Sequence, residues 1–165
     1  MKNKLSINLE VSLVEIILSI LIFAVAGVIM LTCFAYANFT QVKANDITIA
    51  GNMVQTDSEM IRASLSTEGA YEFLSKNYSL IHEIGKSRQY IRYFDKEWNP
   101  CSEDEDEYQM VTEVIEENED IEGSMLAITI TVQKSRPYPF IGKPDETVFS
   151  VETKKFYPIF GNGRQ

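Results

Sequence analysis

From Val11 to Ala37 the chain contains a single charged side chain, Glu15, and from Ile16 to Ala37 every residue is apolar, small or hydroxylic. At about 1.5 Å per residue this block makes a helix of roughly 40 Å, enough to cross a hydrocarbon layer of about 30 Å with some tilt. It predicts a membrane span. Lys2 and Lys4 precede the block and no further basic residue occurs until Lys43, a bias that places the N-terminus in the cytoplasm and everything after the span outside. The chain as a whole carries 15 Lys+Arg against 24 Asp+Glu, a formal charge of −9. Removing Lys2, Lys4, Glu10 and Glu15 leaves 13 against 22 from Asn38 onward, again −9. Such a domain is repelled by anionic lipid and by nucleic acid, so no nucleic-acid partner is expected and the head should stand clear of the bilayer.

A carboxylate in a membrane helix costs about 2.5–3.5 kcal/mol at the helix centre, so Glu15 asks for an explanation. Near the start of the span it reaches back to headgroup water, or it meets a positive group supplied by another chain. Its surroundings bear on the choice. The run Val11, Ser12, Leu13, Val14, Glu15, Ile16, Ile17, Leu18, following a ten-residue leader with two lysines and preceding a long apolar stretch, resembles the N-terminal signature of type IV pilins and pseudopilins. The resemblance covers roughly the first 37 residues. It implies a minor structural subunit of a type IV pilus, type II secretion or DNA-uptake filament. The partners it implies are other pilin-like subunits, an inner-membrane assembly platform and a prepilin peptidase that cuts between Glu10 and Val11. It also implies that Glu15 sets axial register by pairing with the free, methylated amine of a neighbour. This chain departs from the pattern in two places: Glu10 stands where the family has a small residue, usually Gly, and Val11 replaces an aromatic residue or Met. The chain is then cut before Val11, or remains uncut as a tip or other minor subunit.

A different processing signal lies at Ala35, Tyr36, Ala37, a small-x-small triplet of the signal-peptidase type. Its use would release a secreted or otherwise extracytoplasmic binding domain starting at Asn38. The apolar run before it is longer than the roughly 7–15 residues of a secretory core and opens with a carboxylate, which favours the anchor.

Beyond the span the helical pattern continues. Ile47, Ala50, Val54, Ile61 and Leu65 share one helix face, with Lys43, Asp46, Gln55, Glu59 and Arg62 read as mostly off it. No proline occurs before Pro100, so one helix of about 55 residues, roughly 80 Å, is expected to about Ser66. Ser66 to Arg88 reads as the region connecting stem and sheet, with Tyr71, Phe73, Leu74, Tyr78, Leu80 and Ile81 in a further short helix that starts near Thr67 and Glu68 and ends near Gly85. Strands are expected over Gln89–Asp95, Glu107–Ile115, Met125–Gln133 and Thr147–Phe156. Tyr108, Met110, Thr112 and Val114 share one face of the second, and Leu126, Ile128, Ile130 and Val132 one face of the third. The expected fold is α+β, a long N-terminal helix on a four-stranded antiparallel meander, and this again resembles the pilin plan. Its divisions are a basic leader (1–10), a transmembrane helix (11–37), its amphipathic continuation (38–66) and an extracytoplasmic head (67–165). The Pro-rich segment from Ser135 to Asp145 reads as a solvated loop or a subunit contact.

Chemistry-bearing motifs are few. Acidic runs at Glu103–Glu107 and from Glu113 to Glu122 lack the spacing of an EF-hand, and Asp104 and Asp106 are only weak candidates for Ca²⁺; no other cofactor is expected. His82 is the lone histidine, and Cys33 and Cys101 fall in different regions, so neither a zinc site nor a nucleophile–base pair is expected. The carboxylates lie in solvated runs without an implied pocket, and no enzymatic role is expected.

Overall fold

The computed structural model describes residues 3–117, 123–139, 143 and 145–158, with side chains from residue 13 onward. Helix α1 (Asn3–Ala63) continues without a break past the expected membrane segment. The chain divides into two compact units, 1–42 and 43–165. The first is helix alone, and its side chains from Leu13 to Val42 are exposed on nearly every side.

In the second unit α1 ends at Ala63, and Leu65, expected on its apolar face, is 96% exposed in the link to α2 (Thr67–Asn77). Helix α2 begins where Ser66 stays extended and its Oγ accepts from the Gly69 amide at 3.2 Å, satisfying one of the donors that every helix start leaves open. Glu68 in that first turn has its carboxyl held below the usual range by its own backbone amide and by the Ser66 and Thr67 hydroxyls. The buried residues of α2 are Ala70 and Leu74.

Among the described residues the sheet has five strands, not four, all antiparallel and in sequence order: β1 (Ser79–Ile84), β2 (Ser87–Phe94), β3 (Tyr108–Glu117), β4 (Gly123–Lys134) and β5 (Glu146–Pro158). The extra strand, β1, occupies the second half of the segment read as a connecting helix. Every residue of β1 is exposed, so no core forces an alternating pattern on it. Its register also shifts between Leu80 and His82, which breaks any period of two. What fixes it is the hairpin to β2, where Gly85 takes φ +59° at the first of two turn positions, a conformation that glycine adopts without steric cost.

The other strands follow their alternation. Tyr108, Met110, Thr112 and Val114 of β3 and Leu126, Ile128, Ile130 and Val132 of β4 are buried together, each large aliphatic contributing about 1.5–3 kcal/mol by its removal from water. They pack with Ala50, Val54 and Ile61 of α1, with Ala70 and Leu74 of α2, and with Tyr90 and Phe94 of β2. In β5 the expected leaders Phe149 and Val151 lie partly buried against this core, while a register shift opposite Val132 and Gln133 turns Val148 inward as well. The expected turn at Asn118–Gly123 falls, apart from Gly123, outside the described residues, as do Gly142 and Pro144 of the Pro-rich segment.

Gly123 starts β4 where a Cβ would stand 2.4 Å from the Phe156 ring and 2.7 Å from the Tyr157 carbonyl oxygen. The ring can turn aside and the carbonyl cannot. Gly123→Ala is expected to destabilise the domain by about 1–3 kcal/mol, the range for overpacking, as a lowered midpoint in chemical denaturation with unchanged slope.

Candidate functional site

Two sets of residues concentrate the chain's unusual chemistry, one in each unit. In the first, Glu15 is the only charged residue between Leu13 and Val42, and it is exposed among exposed Leu13, Val14, Ile16, Ile17 and Leu18. No ion pair forms on it among the described residues. Two hydroxyls farther along bond back to their own helix: the Thr32 hydroxyl donates to the Val28 carbonyl at 2.8 Å and Thr40 to Tyr36 at 2.9 Å. A hydroxyl bonded in this way adds little polarity to the surface, and Glu15 remains the one charge. The segment is long and apolar enough to cross a membrane, and none of it is buried within the protein. Glu10 and Val11 lie in the helical backbone of α1, and their side chains are outside the described residues. The helix also runs unbroken through Ala35, Tyr36 and Ala37.

In the second unit α1 is held by tyrosine hydroxyls at three levels. Asp46, only 4% exposed, accepts on one carboxylate oxygen from Tyr108 of β3 at 2.7 Å and from Tyr138 at 2.8 Å. Asp57 accepts from Tyr78, which follows α2. Near the end of α1 the Tyr157 hydroxyl donates to the Ile61 carbonyl at 3.0 Å and meets Ser64 Oγ at 2.7 Å. Asp46 therefore lies on the buried face of α1 rather than off it. Eleven residues separate Asp46 from Asp57, about three turns at 3.6 residues each, so Asp57 returns to the same side.

Around Asp46 the sheet contributes a charge of its own. The alternation that buries Leu126, Ile128, Ile130 and Val132 carries Lys134 to the next inward position, leaving it 5% exposed. Its ammonium lies 4.1 Å from the centre of the Tyr108 ring and 4.9 Å from that of Tyr138, and pairs with Glu107 at 2.6 Å. Cation and ring quadrupole attract, and the effect grows with desolvation. Lys43 pairs with Glu146 at 2.5 Å beside the same Tyr138 ring. On β3's other flank Trp98, in the left-handed region at φ 65°, stacks on Tyr108 with ring centres 4.0 Å apart. Its loop is tied by Asp95, whose Oδ1 accepts from the Glu97 and Asn99 amides at 2.8 and 2.9 Å.

The weak calcium candidates do not come together. Asp104 sits in an exposed 3₁₀ turn (Glu103–Glu105), and Asp106, just after it, accepts from the Ser135 hydroxyl. Among the described residues no group of three or more His, Cys, Asp or Glu side chains is placed to hold a metal ion. His82 is exposed on β1 and Cys101 is partly exposed. Glu119, Asp120 and Glu122 lie outside the described residues.

Burial first, and then the neighbouring carboxylate, raise the ionisation of Tyr108 and Tyr138 (beside Asp46) and of Tyr78 (beside Asp57) far above the usual phenol range. A phenol whose folded pKa is raised contributes stability that is fully present below its unfolded value, about 10, and is lost as pH climbs above it. Stability should therefore decline above pH 10. Tyr138→Phe should cost about 1.5–3 kcal/mol at pH 8, the range for a bond to a charged group, and should flatten the alkaline decline; denaturation curves at pH 8 and pH 11 check both.

Compared with protein-family models, with curated proteins and with solved structures, the chain matches none of them.

Proposed function

We propose that the chain is a minor pilin-like or pseudopilin-like structural subunit of a type IV pilus, type II secretion or DNA-uptake filament. The observation that carries this reading is the division of one helix between two settings. Through Leu13–Val42 α1 exposes apolar side chains all round with Glu15 as its only charge, and through Lys43–Ala63 it buries one face on an antiparallel meander. In this reading the first part inserts in the cytoplasmic membrane with its N-terminus inside and the acidic head outside. It then packs against like helices in a filament.

Glu15 is the register element. In a low-dielectric bundle an unpaired carboxylate is costly, so a neighbour's N-terminal amine at the same depth is strongly preferred over any other alignment. Cleavage before Val11 supplies that amine; an uncut chain keeps the amine of Met1 away from it and suits a tip position with fewer neighbours. The work of the chain is assembly, with other pilin-like subunits and an inner-membrane platform as partners. No catalytic role is assigned to it.

Glu15→Ala should leave membrane insertion intact or improve it, by up to about 2.5–3.5 kcal/mol if the carboxylate sits at depth. Recovery of the chain with sheared filaments should fall at least about tenfold, one ion pair being worth about 1.4 kcal/mol or more in such a setting. Unchanged recovery would remove the register role. The mass and N-terminal sequence of the protein from cell envelopes separate the readings further: a start at Val11 supports pilin-type processing, whereas a start at Asn38 makes it a secreted domain and ends the filament reading.

A further inference from the structure

We propose that the charge cluster where α1 meets the Glu107–Lys134 end of the sheet is an acid-operated clasp: protonation of Glu107 frees Tyr138 and the α1 turn around Asp46 while the sheet stays folded. The argument starts from Lys134. Its ammonium is almost out of water, and besides two aromatic faces the one carboxylate within ion-pair distance of it among the described residues is Glu107 at 2.6 Å. Acid leaves an ammonium cationic, whereas a carboxylate that takes up a proton loses its charge. Breaking a buried pair from one side leaves an uncompensated charge, and the cheapest relief is for that charge to reach water. Lys134 reaches water by leaving the gap between Tyr108 and Tyr138. Those are the two rings whose hydroxyls hold Asp46.

The other ionisable groups facing this point push the same way. Glu146 is bonded to Lys43, and its protonation releases that second tie on α1. Arg136 lies 3.8 Å from Glu107 but is mostly exposed, so it can rehydrate in place. Asp106 holds Ser135, next to Lys134, and loses acceptor strength when protonated. With Asp46, Asp106, Glu107 and Glu146 all neutral, the cations Lys43, Lys134 and Arg136 are left together without the four carboxylates that had offset them. Deeper in the sheet the buried side chains Met110, Val114, Leu126, Ile128 and Ile130 have no charge to titrate, so acid has no comparable purchase there. Asp57, at the next level of α1, has no cation within ion-pair distance among the described residues, and its protonated form still offers Tyr78 a carbonyl oxygen.

The protein carries its own reporter. Trp98, its single tryptophan, stacks on Tyr108 and senses whether that ring is held. The full chain in detergent micelles is titrated from pH 7 to pH 2 while Trp98 emission and far-UV circular dichroism are followed. The expected result is a change in emission complete about one pH unit before secondary structure is lost; coincident transitions would overturn the proposal. Glu107→Gln, which imitates the protonated carboxyl, should give the acid-type emission already at pH 7 with native circular dichroism, and native emission in that variant would overturn it too. Lys134→Met removes the stranded cation and should abolish the early change; its persistence at the same pH would show that Lys134 does not drive the opening.

Discussion

A helix that is apolar on every side has no resting place in water, and one that is apolar on a single side has none in a bilayer. Helix α1 is of the first kind through Val42 and of the second kind from Lys43 to Ala63. The need to satisfy both kinds with one unbroken element shapes everything downstream of it. The meander is antiparallel with one buried face because it has one helical stripe to cover, and short connections between neighbouring strands suffice for that. The charge imbalance of the chain, −9 overall, falls on the residues after Val42.

The stripe itself is narrow in apolar content. Ala50, Val54 and Ile61 are small or medium in size, and between them come Asp46, Asp57 and Ser58. A purely apolar seam could let the helix slide by a turn at small loss, since one aliphatic contact resembles the next. Hydrogen bonds from Tyr108, Tyr138 and Tyr78 to the carboxylates of Asp46 and Asp57 cannot be remade one turn along, because Ala50 and Val54 offer no side-chain acceptor. The polar contacts thus define position, and the apolar ones supply most of the favourable free energy. Tyrosine suits the task because its ring fills core volume while its hydroxyl reaches a partner.

Much of this architecture was legible from periodicity. The apolar block, the long helix, strands β2 to β5 and the inward faces of β3 and β4 followed from spacings of 3.6 and 2. Strand β1 was not legible, because an exposed edge strand with a bulge carries no alternation and its apolar residues, Leu80, Ile81 and Ile84, suit a short helix equally well. The tyrosine contacts were hidden for a different reason. Assigning aspartates to the outside of an amphipathic helix is sound on average, yet Asp46 and Asp57 share the angular sector of Ala50 and Ile61, and that arithmetic was available from the sequence. Lys134 was available too, as the fifth member of the series Leu126, Ile128, Ile130, Val132; its charge argued for the surface and the pleat overruled it. The partners of these groups, Tyr138 above all, come from distant segments, and no local pattern announces them.

Glu15 and Asp46 make an instructive pair, as two acids on one helix with opposite solutions to the same problem. Asp46 carries its solution within the chain: the hydroxyls of two phenols, Tyr108 and Tyr138, replace water it gives up. Glu15 has no such group among the described residues, and the helix around it offers aliphatic side chains and, one turn on, Ser19, none of them a cation. A charge left without an internal partner in a segment otherwise stripped of charge is stable only where something external meets it, whether headgroup water or a cation on another chain. Water would serve any residue placed at the membrane surface, and would set no requirement on neighbouring helices. A second chain's amine meets the charge at one depth and in one alignment, and it is this selectivity that would turn a collection of apolar helices into an ordered filament.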